Sequence, residues 1–237
     1  MRVAGVYEKC RIYIESHSTP PAYITKFPCI TISRQTGTRA DIIGHKLVDI
    51  LNRYSGEETT EWTYFDKNLI EKVVEDHHLP SILTKYMDED KVFNLKNMVS
   101  EMLGNPSGWT FVRQMSETII QIARLGKAVI IGRGGNVITA KLPNAFHVRL
   151  VAPLELRAKQ AQEAYELNNF HDALDFVKRE DASRRNYLKT YFLKDIEDPL
   201  LYHLVVNTSA LSYDEAADLI AGSIVRRFRE LYYNSPV

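Results

Sequence analysis

Three clusters of glycine, hydroxyl and arginine residues carry groups that bind phosphate in proteins. The first is the polar run from Ser33 to Asp41, which follows a short β-branched segment and contains Gly37. A glycine-containing turn between a strand and a helix directs backbone N–H groups and the helix dipole at one point, which suits a phosphate. The full P-loop pattern adds Gly-Lys-Ser/Thr, which this turn lacks. The run is therefore compatible with a phosphate site, and a purely structural turn is the alternative.

The second cluster, Gly132-Arg133-Gly134-Gly135-Asn136, follows the most apolar segment of the chain. A dinucleotide-binding turn would carry a third glycine where this chain has Val137, so a nicotinamide site is not expected. An arginine at the carboxyl end of a parallel strand lies where open α/β sheets bind ligands. The alternative is an exposed arginine on a tight turn.

The third cluster lies on a long charged segment and includes Arg179, Arg184 and Arg185. Guanidinium groups match the geometry of phosphate oxygens, and several on one segment are suited to closing over a polyphosphate. A solvated mixed-charge helix face is the alternative.

The elements that position these clusters alternate along the chain. Short apolar runs predict strands at Cys29–Ile32, Tyr64–Phe65, Ala128–Ile131, Ala145–Val151 and His203–Val206. Residues with helical spacing predict helices after the capping residues Asp41 and Asp66, and over Asp88–Leu103, Thr110–Leu125, His171–Tyr191 and Tyr213–Tyr232. This alternation predicts an α/β fold, a parallel sheet with helices on both faces.

Composition restricts the classes of function. Thirty basic residues balance thirty acidic ones, so neither nucleic acid nor an anionic membrane is an expected partner. Two cysteines and the lack of a long apolar run predict a soluble, cytoplasmic protein. Residues 1–26 end in Ser18-Thr19-Pro20-Pro21 and are predicted to be an accessory helix and linker. This segment is expected to dock on the core, on a second copy of the chain or on a protein partner.

The order of the motifs resembles the cytidylate kinase-like family, a divergent branch of the P-loop nucleoside monophosphate kinases. The resemblance rests on short motifs in a fixed order, which lie at Cys29–Gly44, Tyr64–Lys67, Ile130–Asn136, Pro143–Lys159, Asp181–Tyr187 and Leu204–Ile220. It implies a P-loop NTPase-type domain over residues 27–237. It further implies a helical acceptor-binding insert at about 61–125 and a lid at about 165–199.

The resemblance also implies roles for individual residues. The donor phosphates would lie against the loop residues Ser33, Arg34, Gln35, Thr36, Gly37 and Thr38. The acceptor would contact Asp66 and Arg133. Arg184 and Arg185 would act in catalysis together with Arg39, and Arg179 and Asp181 would belong to the lid. ATP and Mg²⁺ are the implied cofactors and nucleotides the implied substrates, with no metal ligand assigned.

This chain departs from the family pattern at several of these positions. Gln35 replaces an acidic residue, Arg39 and Ala40 replace paired glycines, and Ile42 replaces a magnesium-binding hydroxyl residue. Gly134 stands where typical cytidylate kinases have an aspartate. Losing one charge-stabilising donor typically slows phosphoryl transfer about a hundred- to a thousandfold.

Three functions are compatible with a P-loop that departs from the family pattern in this way. The leading expectation is an ATP-dependent kinase that phosphorylates a monophosphate such as CMP. The alternatives are a catalytically impaired nucleotide sensor or interaction protein and a kinase for another small acceptor.

Overall fold

The computed structural model describes residues 27–55, 61–66 and 106–233. The predicted N-terminal helix at 1–26, the helix after Asp66 and the helix at 88–103 lie outside these residues.

A parallel sheet forms the centre of the fold. Its strands are β1 (Cys29–Arg34), β2 (Thr63–Phe65), β3 (Ala128–Ile131), β4 (Ala145–Val151) and β5 (Leu204–Asn207). They lie in the order β2-β3-β1-β4-β5, and every neighbouring pair is parallel. The apolar segments of β1, β3 and β4 are buried on both sides, as expected for strands in the middle of a parallel sheet. The predicted α/β architecture is therefore confirmed.

Helices cover both faces of the sheet. They are α1 (Ala40–Ser55), α2 (Pro106–Leu125), α3 (Gly135–Ile138), α4 (Leu154–Ala164), α5 (Phe170–Phe192), α6 (Tyr213–Arg227) and α7 (Arg229–Tyr233). A 3₁₀ turn at Pro199–Leu201 precedes β5. One core joins α1 and α6 to the sheet through residues such as Leu47 and Ile220. The other core packs Met115, Ile119 and Ile122 of α2 beneath Phe65 and Ile130.

Three predicted helix boundaries were wrong. Helix α1 begins at Ala40, so Asp41 lies in its first turn and pairs with Arg39 instead of capping the helix. Helix α2 begins at Pro106 and not at the predicted Thr110, because proline is favoured in the first turn of a helix. The final helix is interrupted at Phe228 and continues as α7.

The strand order brings the first two phosphate-binding clusters to one edge of the sheet. Strands β3 and β4 follow each other in sequence but flank β1 on opposite sides. Such a change of direction creates a crevice at the carboxyl ends of the strands, where open α/β sheets bind ligands. Ile32 pairs in register with Ile131, and the amide of Gly132 donates to the carbonyl of Ile32 at 3.0 Å. The turn after β3 therefore lies directly beside the loop after β1.

Candidate active site

A cleft opens at this edge between the sheet and α5. Its walls come from the ends of β1 and β3, from α3, from the middle of α5 and from the segment after α5. The lining residues are Ser33, Arg34, Gly132, Arg133, Gly134, Asn136, Glu180, Ser183, Arg184, Tyr187, Leu188 and Ile196. The cleft therefore combines residues from all three clusters predicted from the sequence.

Arg34 extends from the end of β1 across Gly132. A Cβ atom at Gly132 would lie 1.9 Å from Nη1 of Arg34, so the absence of a side chain there makes this approach possible. Burial lowers the pKa of Arg34 to about 10, and the nearby guanidiniums of Arg184 and Arg133 also lower it. No carboxylate of the described residues pairs with Arg34. A half-buried cation that lies among other cations without a carboxylate is a strong candidate to bind an anion.

Arg133 occupies the turn after β3 in an uncommon backbone conformation. Its φ of 52° lies in the left-handed region, between Gly132 and Gly134, which also have positive φ. For a residue with a side chain this conformation costs about 1–3 kcal/mol, and such strain is concentrated at functional sites. Burial lowers the pKa of Arg133, and Arg184 lowers it further, whereas Tyr187 acts in the opposite direction. The turn thus holds a third guanidinium against the same cleft as Arg34 and Arg184.

A second network, which we call the Asp181 latch, joins Thr36, Arg157, Asp181 and Arg184. Oδ1 of Asp181 accepts hydrogen bonds from the amide and the hydroxyl of Thr36, each at 2.7 Å. Oδ2 of Asp181 accepts from Nη1 of Arg157 at 2.7 Å, and Nη1 of Arg184 donates both to Oδ1 and to the Thr36 hydroxyl. The latch ties α5 to the β1–α1 loop. It also occupies a loop amide with a carboxylate of the protein itself.

The rest of the β1–α1 loop packs against the start of α4. A Cβ atom at Gly37 would lie 2.2 Å from the backbone oxygen of Arg157, so the loop backbone approaches α4 very closely. Oε1 of Gln35 accepts from the amide of Ala152 at 3.1 Å, and the hydroxyl of Thr38 donates to the carbonyl of Gln35 at 2.9 Å. These contacts use the polar groups of the loop internally. The loop therefore contributes Ser33 and Arg34 to the cleft.

Ser33 is held in place by groups on β4 and on the segment before β5. Its Oγ accepts from Nη1 of Arg149 at 2.9 Å and lies 3.3 Å from the hydroxyl of Tyr202, which donates to the carbonyl of Ile196 at 2.8 Å. Arg149 is buried and also donates to Glu197 at 2.8 Å. The single proton of the Tyr202 hydroxyl goes to the Ile196 carbonyl, so Ser33 donates its own proton to the Tyr202 oxygen. Arg149 and Tyr202 thus act as positioning residues for Ser33.

Three of the predicted arginines do not line the cleft. Arg39 forms a two-point contact with Asp41 at 3.3 and 3.2 Å, and these hydrogen bonds raise its pKa. Arg179 is exposed, with its guanidinium 5.6 Å from the ring centre of Phe176. Arg185 is also exposed and lies 3.8 Å from Oε1 of Glu197.

Asp66, the predicted acceptor residue, follows β2 at the same edge of the sheet. Strand β2 pairs with β3 up to Phe65 and Ile130. Burial raises the pKa of Tyr64, and the charge of Asp66 raises it further. Asp66 is not among the residues that line the cleft.

Four further residues of the site and its supports have no role predicted from the sequence: Arg157, Arg149, Asn136 and Tyr187. Arg157 had a detectable signal, because Ala158 and Ala161 define the buried side of α4 and Arg157 lies beside them. Asn136 belongs to the motif after β3, for which the prediction rested on the glycines and on Arg133. For Arg149 and Tyr187 no local pattern separates them from ordinary strand and helix residues.

Two other types of site are absent from the described residues. Residues 27–55, 61–66 and 106–233 contain no group of three or more His, Cys, Asp or Glu side chains placed to hold a metal ion. Within the same ranges, no helix is both long and apolar enough to cross a membrane.

The fold and the site define a class of protein. A parallel sheet in the order β2-β3-β1-β4-β5, with a strand–loop–helix unit at β1, is a P-loop NTPase-type α/β fold. A model of the cytidylate kinase-like family matches residues 29–210, which is most of the chain. The protein therefore belongs to this family.

Two known proteins illustrate the relationship. The chain is 35% identical to a cytidylate kinase from Sulfolobus acidocaldarius over 80 residues, which make up 34% of this chain and 43% of that enzyme. The match thus spans less than half the length of this curated relative. The crystal structure of an uncharacterized protein from Eubacterium ventriosum ATCC 27560 superimposes with a TM-score of 0.65 at 20% identity. It covers 84% of this chain and 98% of its own, so the two proteins share the fold.

Proposed function

We propose that this protein transfers the γ-phosphoryl group of ATP to a small phosphorylated acceptor, with CMP as the first candidate. The observation that carries the proposal is the convergence of Arg34, Arg133 and Arg184 on one cleft. The family and the similarity to a cytidylate kinase support ATP and a nucleoside monophosphate as the substrates.

Phosphoryl transfer suits this arrangement because the protein contributes mainly positioning and charge neutralisation. Arg133 would orient the acceptor phosphate, which it can reach from the turn after β3. Arg34 and Arg184 would neutralise the charge that develops on the transferred group. Arg34 takes over the role of the missing P-loop lysine, because Arg39, the other candidate, is already paired with Asp41.

The donor phosphates would compete with Asp181 for the amide of Thr36. The carboxylate and a phosphate are both anions and seek the same N–H donor. Binding of ATP in the loop would therefore release Asp181 and shift α5 relative to the loop. A movement of this kind corresponds to the proposed lid at 165–199, which would close over the substrates and exclude water.

Mg²⁺ is implied by the family, but the oxygen donors of the loop do not fit a protein-held magnesium ion. The hydroxyls of Ser33, Thr36 and Thr38 are engaged with Arg149, Asp181 and Gln35, respectively. Both oxygens of Asp181 accept from guanidinium groups. In the proposed reaction ATP brings Mg²⁺ on its own phosphates, and no ligand is assigned to the protein.

The proposal is tested by measuring ADP production from ATP and Mg²⁺ with a panel of monophosphates led by CMP. One monophosphate is expected to stimulate ADP production, and Arg133→Ala is expected to reduce kcat/KM for it at least about a hundredfold. Arg226→Ala, an exposed arginine on α6, is the matched control. Turnover that is unaffected by Arg133→Ala would contradict the assigned site.

A nucleotide sensor without catalytic activity is the second candidate, favoured by the Asp181 latch and the missing lysine. The latch holds the loop in a state in which its Thr36 amide is unavailable to phosphate. Calorimetric binding of ATP or CMP without ADP production across the panel would support this function. Stimulation by an acceptor other than a nucleoside monophosphate would instead indicate a kinase for another small molecule.

A further inference from the structure

Two neutral polar groups of the cleft lack hydrogen-bond partners among the described residues. The side chain of Asn136 is 5% exposed, and its Nδ2 is buried without an acceptor. The hydroxyl of Tyr187 is likewise buried without a partner. Both residues line the cleft together with the arginines.

An unsatisfied buried donor is costly, so it calls for a physical explanation. Leaving such a group unpaired costs about 1–3 kcal/mol, and native proteins contain only a few. Burial raises the pKa of Tyr187 to about 12, so its hydroxyl stays protonated at neutral pH and can donate. A ligand that brings hydrogen-bond acceptors into the cleft would satisfy both groups.

Each of these donors lies three positions after one of the cleft arginines. Asn136 follows Arg133 at the start of α3, and Tyr187 follows Arg184 along α5. Residues three apart on a helix lie on the same face, about 5–6 Å apart. A ligand that extends a few ångströms beyond its phosphate would therefore meet Tyr187 after Arg184.

The surrounding packing fixes the backbone beside Asn136 and the ring of Tyr187. Gly135 lies against Thr31, where a Cβ atom would be 3.3 Å from the Thr31 methyl group. The ring of Tyr187 packs against Tyr191 and Phe192, at 5.2 and 5.8 Å between ring centres. Side chains fixed in this way lose little conformational entropy when a ligand binds, which favours recognition.

We infer that Asn136 and Tyr187 recognise the base of the acceptor nucleotide through its hydrogen-bond acceptors, while the cleft arginines hold its phosphate. The inference rests on the proposed function, and it adds residues that determine acceptor specificity. Pyrimidine carbonyl and ring-nitrogen atoms are acceptors that match two N–H and O–H donors. Ribose 5-phosphate offers the same phosphate and sugar without these atoms.

The test compares binding of CMP and ribose 5-phosphate by calorimetry, without ATP. The wild-type protein is expected to bind CMP at least about tenfold more tightly than ribose 5-phosphate. Tyr187→Phe and Asn136→Ala are each expected to weaken CMP binding about tenfold and to leave ribose 5-phosphate binding unchanged. Tyr54→Phe and Asn186→Ala, at exposed positions on α1 and α5, are the controls.

Several outcomes would overturn the inference. They are equal binding of the two ligands by the wild type, binding of neither, unchanged CMP binding in both variants, or equal losses for both ligands. Tyr187→Phe removes only an unpaired hydroxyl, so the midpoint of thermal unfolding of this variant should not fall. A loss of CMP binding in this variant is then not caused by misfolding. The proposed function fails separately, when ADP production shows no stimulation by any monophosphate.

Discussion

The β1–α1 loop and the turn after β3 occupy equivalent places at the ends of neighbouring strands, yet they differ in how their polar groups are satisfied. In the loop, Thr36 binds Asp181, Gln35 binds Ala152 and Thr38 binds Gln35. In the turn, Nδ2 of Asn136 has no partner among the described residues. The segment that most resembles a phosphate-binding loop is therefore the one whose hydrogen bonds are already formed.

This difference separates a part of the site that is ready for ligand from a part that must first rearrange. A ligand gains little from a donor that already has a partner, because one hydrogen bond replaces another. An unpaired donor such as Nδ2 of Asn136 gives the full benefit. We therefore expect the acceptor to bind at the turn and ATP binding to depend on release of the latch. Helix α5 couples the two regions, since it carries both Asp181 and Arg184.

The largest effect is expected from replacing Arg34, whose side chain extends from the end of β1 across the turn after β3. Arg34→Ala should lower kcat/KM about a hundred- to a thousandfold, because a charge-stabilising donor is lost. Arg34→Lys should recover part of this, since the charge returns without the planar fork. Steady-state ADP production measures both variants, with Arg226→Ala as the control. A wild-type rate for Arg34→Ala would show that the cleft arginines do not act together.

Two glycine substitutions separate the regions by stability and by activity. Gly37→Ala places a Cβ atom 2.2 Å from the backbone oxygen of Arg157, which cannot move aside, and should lower the free energy of unfolding by about 2–3 kcal/mol. Gly132→Ala meets only the end of the Arg34 side chain, so about 1 kcal/mol of stability is expected to be lost.

The activity of Gly132→Ala completes this comparison. Gly132→Ala should still lower kcat/KM at least about tenfold at a temperature where it is folded, because Arg34 is displaced from the cleft. Urea unfolding measures the stability of Gly37→Ala and Gly132→Ala, and ADP production measures the activity of Gly132→Ala. If Gly132→Ala were fully active, the position of Arg34 over Gly132 would not matter for function.

The last expected effect is a pH dependence of stability, and it concerns a histidine beneath the two regions. Nδ1 of His147 lies 2.8 Å from the Thr31 hydroxyl in the middle of the sheet. Burial lowers the pKa of His147 to about 4, with further contributions from His203 and Arg227. The unfolded chain therefore binds a proton near pH 6.5 that the folded protein takes up only near pH 4. Stability should fall by about 2 kcal/mol between pH 7 and pH 5.

Urea unfolding at several pH values measures this loss of stability. His147→Gln should remove most of the pH dependence between pH 7 and pH 5. His171→Gln is the control, because His171 is exposed beside Asp175 on α5. An unchanged pH dependence of stability in His147→Gln would show that other titrating groups cause it.

Much of the fold was predictable because its signals are local. The apolar runs at Ala128–Ile131 and Ala145–Val151 match β3 and β4 residue for residue. The helix predicted to end at Leu125 does end there, and Gly126 follows it with a φ of 77°. The helix ends were less predictable, because caps and first-turn residues such as Asp41 have similar chemistry.

The candidate site was predictable in its motifs but not in its partners. The ordered motifs indicated the family, which the family match confirms. The roles of Arg34, Arg133 and Arg184 remain predictions, now supported by a common cleft. Nothing local distinguished these arginines from Arg39, Arg179 and Arg185, because all six have the same side chain and differ only in their neighbours in space.

The sequence by itself determined the alternation of strands and helices, the family, and the two glycine-containing turns, because these depend on residue types within a few positions. Only the tertiary structure decided that Asp181 binds Thr36, 145 residues earlier in the chain, and that Arg34 crosses Gly132. These contacts depend on the placement of β1 between β3 and β4 and on the packing of α5 against the loop. Side chains far apart in sequence then share one cleft, and their burial and mutual charges select which of them can bind a ligand.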